Sequence, residues 1–148
     1  MSDEKPTQQQ LQELAARHQQ YQYQAESIAQ QMNMLKMTLK DLETALTTIA
    51  ALKDVPAGHE MLVPVGFGSF VNATLVTPDK VVIGIGAGVS VEKKTDDAKA
   101  ILEKRKDELN KYYEQLNSAF TKLATELQGI EGILQKHAAQ TQQPMSAG

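Results

Sequence analysis

The stretch Gly84-Ile85-Gly86-Ala87-Gly88-Val89 has the outline of a glycine fingerprint that closes a backbone around a dinucleotide phosphate. Its last position is Val89 rather than glycine, and no helix follows at once. Strand glycines that let another backbone approach account for it better. Gly66-Phe67-Gly68-Ser69 reads the same way, and Ser69 lies near no candidate base, since His18, His59 and His137 are remote in sequence. The three histidines show no metal-ligand spacing. Lys104-Arg105-Lys106 is flanked by Glu103, Asp107 and Glu108, which reads as a solvated ion-pair face. The acidic residues form no paired-carboxylate pattern. Nothing in these spacings supports catalysis, a metal or a cofactor; the expectation is a protein that is not an enzyme.

Composition narrows the class further. The chain has 148 residues, 41% apolar and 5% aromatic, with three Phe, four Tyr and no Trp. Its formal charge of −3 leaves no basic footprint for phosphate backbones, which argues against nucleic acid. It has no cysteine, which removes disulfides and thiolate chemistry together and suits the cytosol. No run of 18 apolar residues is present, and Met1-Ser2-Asp3-Glu4-Lys5-Pro6 is too polar for a signal peptide, so no membrane partner is expected.

The elements that must carry any function are long. Leu11, Leu14, His18, Tyr21, Ala25, Ile28, Met32, Leu35, Leu39, Leu42, Leu46 and Ile49 recur at alternating gaps of three and four. That 3.5-residue period is a coiled-coil seam, with His18 as its polar break. Thr7 and Gln10 fit a capping box, and Pro56 with Gly58 ends the pattern. Leu102, Leu109, Tyr113, Leu116, Phe120, Leu123, Leu127, Ile130 and Leu134 repeat the rhythm, interrupted by Lys106, with Thr95 as N-cap. The spacing predicts helices over 8–54 and 95–138, each about 68 Å long, between flexible ends at 1–7 and 139–148. Folded back as an antiparallel hairpin, opposed residue numbers sum to about 148, so Leu14 faces Leu134 and Tyr21 faces Leu127.

Between them, residues 60–94 change to period two. Val81, Ile83, Ile85, Ala87, Val89 and Val91 line one face, against Val82 and glycines on the other. Met61–Val65 and Phe70–Val76 read as further strands, and Thr77-Pro78-Asp79-Lys80 as a turn. The result is α+β: a long helical-hairpin coiled coil with a small central β segment of two hairpins. One small sheet cannot hide both faces and two edges, so other copies or other chains are expected to cover it. The contacts assigned to assembly are Val63, Val65, Phe70, Val71 and Leu75 in the first half, and Val81, Ile83, Ile85, Val89 and Val91 in the second.

Charge is unevenly placed. Residues 95–114 hold eleven charges, whereas 115–140 hold four and 8–34 hold three, Glu13, Arg17 and Glu26. The far end of the helical arm is polar but almost uncharged, a surface of Gln, Ala, Met and Tyr that is cheap to desolvate. Gly129 and Gly132 inside the second helix each cost about 1 kcal/mol relative to Ala and favour fraying there. Leu11, Leu14, Ile130, Ile133 and Leu134 are the residues such a tip would open to an unfolded chain; the competing role for each is closing the coil.

The order of elements, with Leu62-Val63-Pro64-Val65-Gly66-Phe67-Gly68-Ser69-Phe70 and Val82-Ile83-Gly84-Ile85-Gly86-Ala87-Gly88-Val89-Ser90-Val91-Glu92, resembles the α-class subunit of prefoldin over about residues 8–140. The resemblance implies a hexamer of two α and four β subunits on a β-barrel platform, with a second copy of this chain at its centre. It implies an ATP-independent, cytoplasmic holdase that captures unfolded polypeptides at arm tips and passes them to a group II chaperonin. The tip regions map to Leu11–Tyr21 and Leu127–Leu134, which adds Tyr21 and Leu127 to the candidates. Two other classes compete: a coiled-coil adaptor binding one defined protein, and a helical arm gripping RNA, which the acidic pI disfavours.

Overall fold

A computed structural model describes residues 4–141, with side chains to Ala138. The order is α1 (Gln8–Leu52), β1 (Glu60–Gly66), β2 (Ser69–Thr74), β3 (Lys80–Gly86), β4 (Val89–Lys94) and α2 (Thr95–Thr141). The second helix passes through Gly129 and Gly132 and continues three residues beyond the expected end at 138. The rest of the expected flexible tail, 142–148, and residues 1–3 lie outside the described residues.

The start of α1 is a reciprocal cap. The Thr7 amide donates to Gln10 Oε1 at 2.9 Å, and the Gln10 amide donates to Thr7 Oγ1 at 3.2 Å. Two of the amides that a helix start leaves without partners are thereby satisfied. All twelve seam positions of α1 are buried or half-buried, and between residues 8 and 49 only Ala29 and Ala45 join them. The seam residues of α2, Lys106 included, behave identically. Most stay half-buried because two helices cover a stripe from one side only.

The chain separates into two compact units. One comprises the residues up to Leu35 and those from Tyr112 on. In it α1 and α2 run antiparallel: His18 Nε2 lies 2.9 Å from Glu131 Oε1, and Tyr112 donates its hydroxyl to Gln31 Oε1 at 3.5 Å. The first of these pairs fits the expected facing of Leu14 with Leu134, and of Tyr21 with Leu127, to within one residue.

The other unit spans Lys36–Lys111. Its core is Leu42, Ile49, Ile83, Ala98 and Leu102, with Ala45, Leu46, Val81 and Leu109 packed against it. Lys106 Nζ reaches Glu43 Oε1 at 3.4 Å, and Lys53 Nζ reaches Asp96 Oδ1 at 3.3 Å. Thr95 does not simply cap α2. Its amide donates to the Asp79 carbonyl at 2.9 Å and its hydroxyl to the Pro78 carbonyl at 3.2 Å, tying the helix start to the turn before β3.

The β segment is not one sheet. The strands form two separate antiparallel hairpins, β1 with β2 and β3 with β4. Short main-chain bonds anchor the first: Gly58 donates to Leu75 O at 2.7 Å and Leu75 to His59 O at 2.9 Å.

Candidate functional site

The two hairpins are copies of one another at an offset of twenty residues. Pro64 pairs Phe70 and Gly66 pairs Ser69, leaving Val65 as a bulge; Gly84 pairs Ser90 and Gly86 pairs Val89, leaving Ile85 as a bulge. Each closes through two residues at positive φ, Phe67 (47°) with Gly68 (69°) and Ala87 (51°) with Gly88 (74°). That is the type I′ turn, whose twist matches the strands it joins. The glycines therefore serve the turns. Among the described residues no other backbone approaches Gly84, since a Cβ added there meets nothing within 4 Å.

The copies differ in what covers them. Ile83 is only 6% exposed, sunk among the helices of its own unit, with Val81 packed beside it. Within the single chain Ile83, one of the residues expected to serve assembly, packs on Ile49, Ala98 and Leu102 of its own helices. Val81 and Val91 are half-buried, while Ile85 and Val89 remain exposed. In the first hairpin Val63, Val65, Phe70 and Val71 are exposed and Leu75 is half-buried, with Leu62 also open. Phe67, at the tip, is fully solvent-exposed.

In the other unit the expected tip residues divide. Ile130 is buried, so it closes the coil in this state. Leu11, Leu14, Tyr21, Leu127 and Leu134 are half-buried, and Ile133 is 41% exposed. Beside them run glutamines and few charges, as the sequence requires. Among the described residues no group of His, Asp and Glu is placed to hold a metal, and no helix is long and apolar enough to cross a membrane.

This arrangement matches known proteins. The family model described as prefoldin subunit aligns with residues 21–140. The chain belongs to the prefoldin family. It is 43% identical to a prefoldin subunit alpha of Methanosarcina barkeri, over 93% of this chain and 94% of that protein. It is 33% identical to a prefoldin subunit alpha of Pyrococcus horikoshii, over 92% and 90% respectively. A cryo-EM structure of filamentous PFD from Methanocaldococcus jannaschii superposes with a TM-score of 0.67 at 26% identity, covering 78% of this chain and 95% of that one. Prefoldins are a chaperone family whose subunits assemble into oligomers, and the coiled-coil hairpin with two strand pairs is the prefoldin fold.

Three features of this prefoldin chain were not foreseen in its sequence. Arg105 Nη1 donates to the Gly84 carbonyl at 3.1 Å and Lys106 pairs with Glu43 of α1; both of these clustered cations are half-buried. The seam period was the available signal for Lys106, since it falls at a core position. A groove of about 450 Å³ lies between β3 and the helices, lined among others by Thr48, Ile49, Leu52, Ile83, Leu102 and Arg105. The last is the Phe67 turn, where the offset of twenty between Gly66-Phe67-Gly68 and Gly86-Ala87-Gly88 was the signal.

Proposed function

We propose that this chain is the α-class subunit of an ATP-independent holdase that binds unfolded polypeptides at the distal ends of its helices and hands them to a group II chaperonin. The observation that carries the reading is the unit built from the ends of α1 and α2. Its helical stretches are short of charge, with three charged residues over 8–34 and four over 115–140, and Ile133 stands open beside half-buried Leu11, Leu14 and Leu134. Apolar side chains set among Gln and Ala bind extended chains without demanding one sequence, because little charge has to be desolvated. Tyr21 and Leu127 extend that surface along the coil, and Ile130 joins it when the last turns open.

The apolar side chains of the hairpins are the assembly surface: exposed Val63, Val65, Phe70, Val71, Ile85 and Val89, half-buried Leu75 and, at its margin, Val81 and Val91 with Ile83 beneath them. Their partners are prefoldin β-class subunits, two α with four β, and a second copy of this chain, in the cytoplasm. The similar structure from Methanocaldococcus jannaschii is of filamentous PFD, an assembly, which supports association for a chain of this fold.

The test is light scattering of a denatured model protein diluted without nucleotide into the assembled complex. Full-length complex should suppress aggregation of several unrelated clients. A complex carrying Leu11→Ser, Leu14→Ser, Ile133→Ser and Leu134→Ser should assemble to the same mass and suppress far less. Undiminished capture by that variant would move the client site away from the helix ends, and no capture by either would favour the single-partner adaptor.

A further inference from the structure

The geometry points to Phe67 as an aromatic knob that enters the groove beside β3 on a second copy of this chain, seated on Ile49, Leu52, Ile83 and Leu102 next to the Arg105 guanidinium. This rests on the reading above that copies of this chain meet through their hairpins.

The argument begins with a side chain in the wrong place for an isolated hairpin. Phe67 has φ 47°, a region that bulky residues avoid, and its side chain is fully solvent-exposed. The position needs neither size nor aromaticity, because its counterpart twenty residues later makes the same turn with Ala87. Asn before Gly is the residue a type I′ turn prefers. A ring held there gains nothing from its own chain.

The groove supplies what that ring lacks. Its floor is apolar side chains of α1, β3 and α2, and its rim carries one cation, Arg105, fixed by its bond to Gly84 O. A planar guanidinium beside an apolar floor favours an aromatic ring over an aliphatic one. A groove of about 450 Å³ falls in the range that seats a small ligand and takes a single ring easily. It is open in the single chain, and the ring is out in solvent.

The open hairpin argues for a second copy as the occupant. Leu62, Val63, Val65, Phe67, Phe70 and Val71 are each 39% exposed or more, and strand alternation puts Leu62 and Phe70 on one face and Val63 and Val71 on the other, so neither face is covered within the described chain. A two-stranded hairpin with both faces open is marginal by itself and is completed by pairing with another chain. Knob and groove both belong to this chain, so two copies can exchange them reciprocally in a closed two-fold contact.

The chain has no cysteine, so introduced thiols report unambiguously. Full-length Ser69→Cys and Thr48→Cys variants both keep the Phe67 ring; the first thiol sits beside the turn and the second at the exposed edge of the groove. They are mixed and oxidised with glutathione disulfide, and the expected product is the mixed dimer, one S69C chain linked to one T48C chain, in clear excess over either self-linked dimer. Association of the unmodified chain is followed by sedimentation in parallel, where Phe67→Ser should raise the dissociation constant roughly 100-fold as for an interface anchor and Phe67→Tyr only a few-fold. A statistical mixture of dimers, or dominance of the self-linked S69C dimer, overturns the seating of Phe67 while leaving hairpin association standing. Failure of the unmodified chain to associate overturns both, and client capture by the complex with β-class subunits is read separately by scattering.

Discussion

Truncating Ile83 and Val63, which hold the same place in the two hairpins, should have unequal consequences for the single chain. Ile83→Ala removes three carbons from a side chain only 6% exposed. At about 0.8 kcal/mol per buried carbon, the transfer term is about 2.4 kcal/mol. The cavity penalty is small because an open groove already adjoins the site, so the total should be about 2–3 kcal/mol, the low end for such changes. Val63→Ala removes two carbons from a residue 39% exposed, worth about 1 kcal/mol. The gap of about 1.5 kcal/mol is measurable by urea denaturation of full-length chain at the lowest workable concentration, where association contributes least. Amide exchange adds a local readout: Ile83→Ala should loosen β3 and β4 while β1 and β2 keep their protection. Equal losses for the two variants would refute the claim that one hairpin is docked on its own helices and the other is not. Raising the concentration should then increase the cost of Val63→Ala alone, as assembly covers it.

Three further outcomes follow from local geometry. Thr7→Ala breaks the reciprocal cap and should cost about 1 kcal/mol, seen as faster amide exchange in the first turn of α1. Ala87→Asn places the preferred residue in a type I′ turn whose φ is already 51° and should stabilise by about 0.5–1 kcal/mol in the same denaturation assay. Lys106→Leu completes the seam; the lost pair to a 60% exposed Glu43 is worth less than about 1 kcal/mol. That variant should therefore be at least as stable as the parent, and thermal melts that show a loss would overturn this weighting.

Much of this fold was readable because its signals are periodic. Two seams of 3.5-residue spacing located both helices, and the Thr7–Gln10 pair marked the first start, since capping is decided by residues three apart. Alternation between Val81 and Val91 identified strands, but it could not say which surface the apolar face would meet. Both surfaces, a neighbouring chain or the chain's own helices, satisfy the same pattern, and within the single chain Ile83 packs on its own helices. The Arg105 bond to Gly84 O joins residues 21 apart through a backbone carbonyl, which leaves no mark in side-chain pattern. At the helix ends the sequence supplied the shortage of charge, while the state of each seam residue depends on how tightly the last turns close. Ile130 holds a seam position and stands shut, whereas Ile133 falls beside the seam position Leu134 and stands open.

The hairpins also set an order of events. Their pairings join residues no more than fourteen apart, from Glu60 with Thr74 inward, and hairpins of that kind form in about 1–10 μs. The helix–helix pairs are far more distant in sequence: 43 residues for Lys53 with Asp96, 63 for Glu43 with Lys106, 81 for Gln31 with Tyr112 and 113 for His18 with Glu131. Closing each loop costs entropy that grows with its length, and each closure shortens the next. The helices thus zip from the sequence-near pairs to the sequence-far ones. Substitutions near Lys53 and Asp96 should therefore act mainly on how fast the chain folds, and those near His18 and Glu131 on how fast it opens, which stopped-flow refolding and unfolding rates check. The residues proposed to hold clients are the last to be closed and the first to be released.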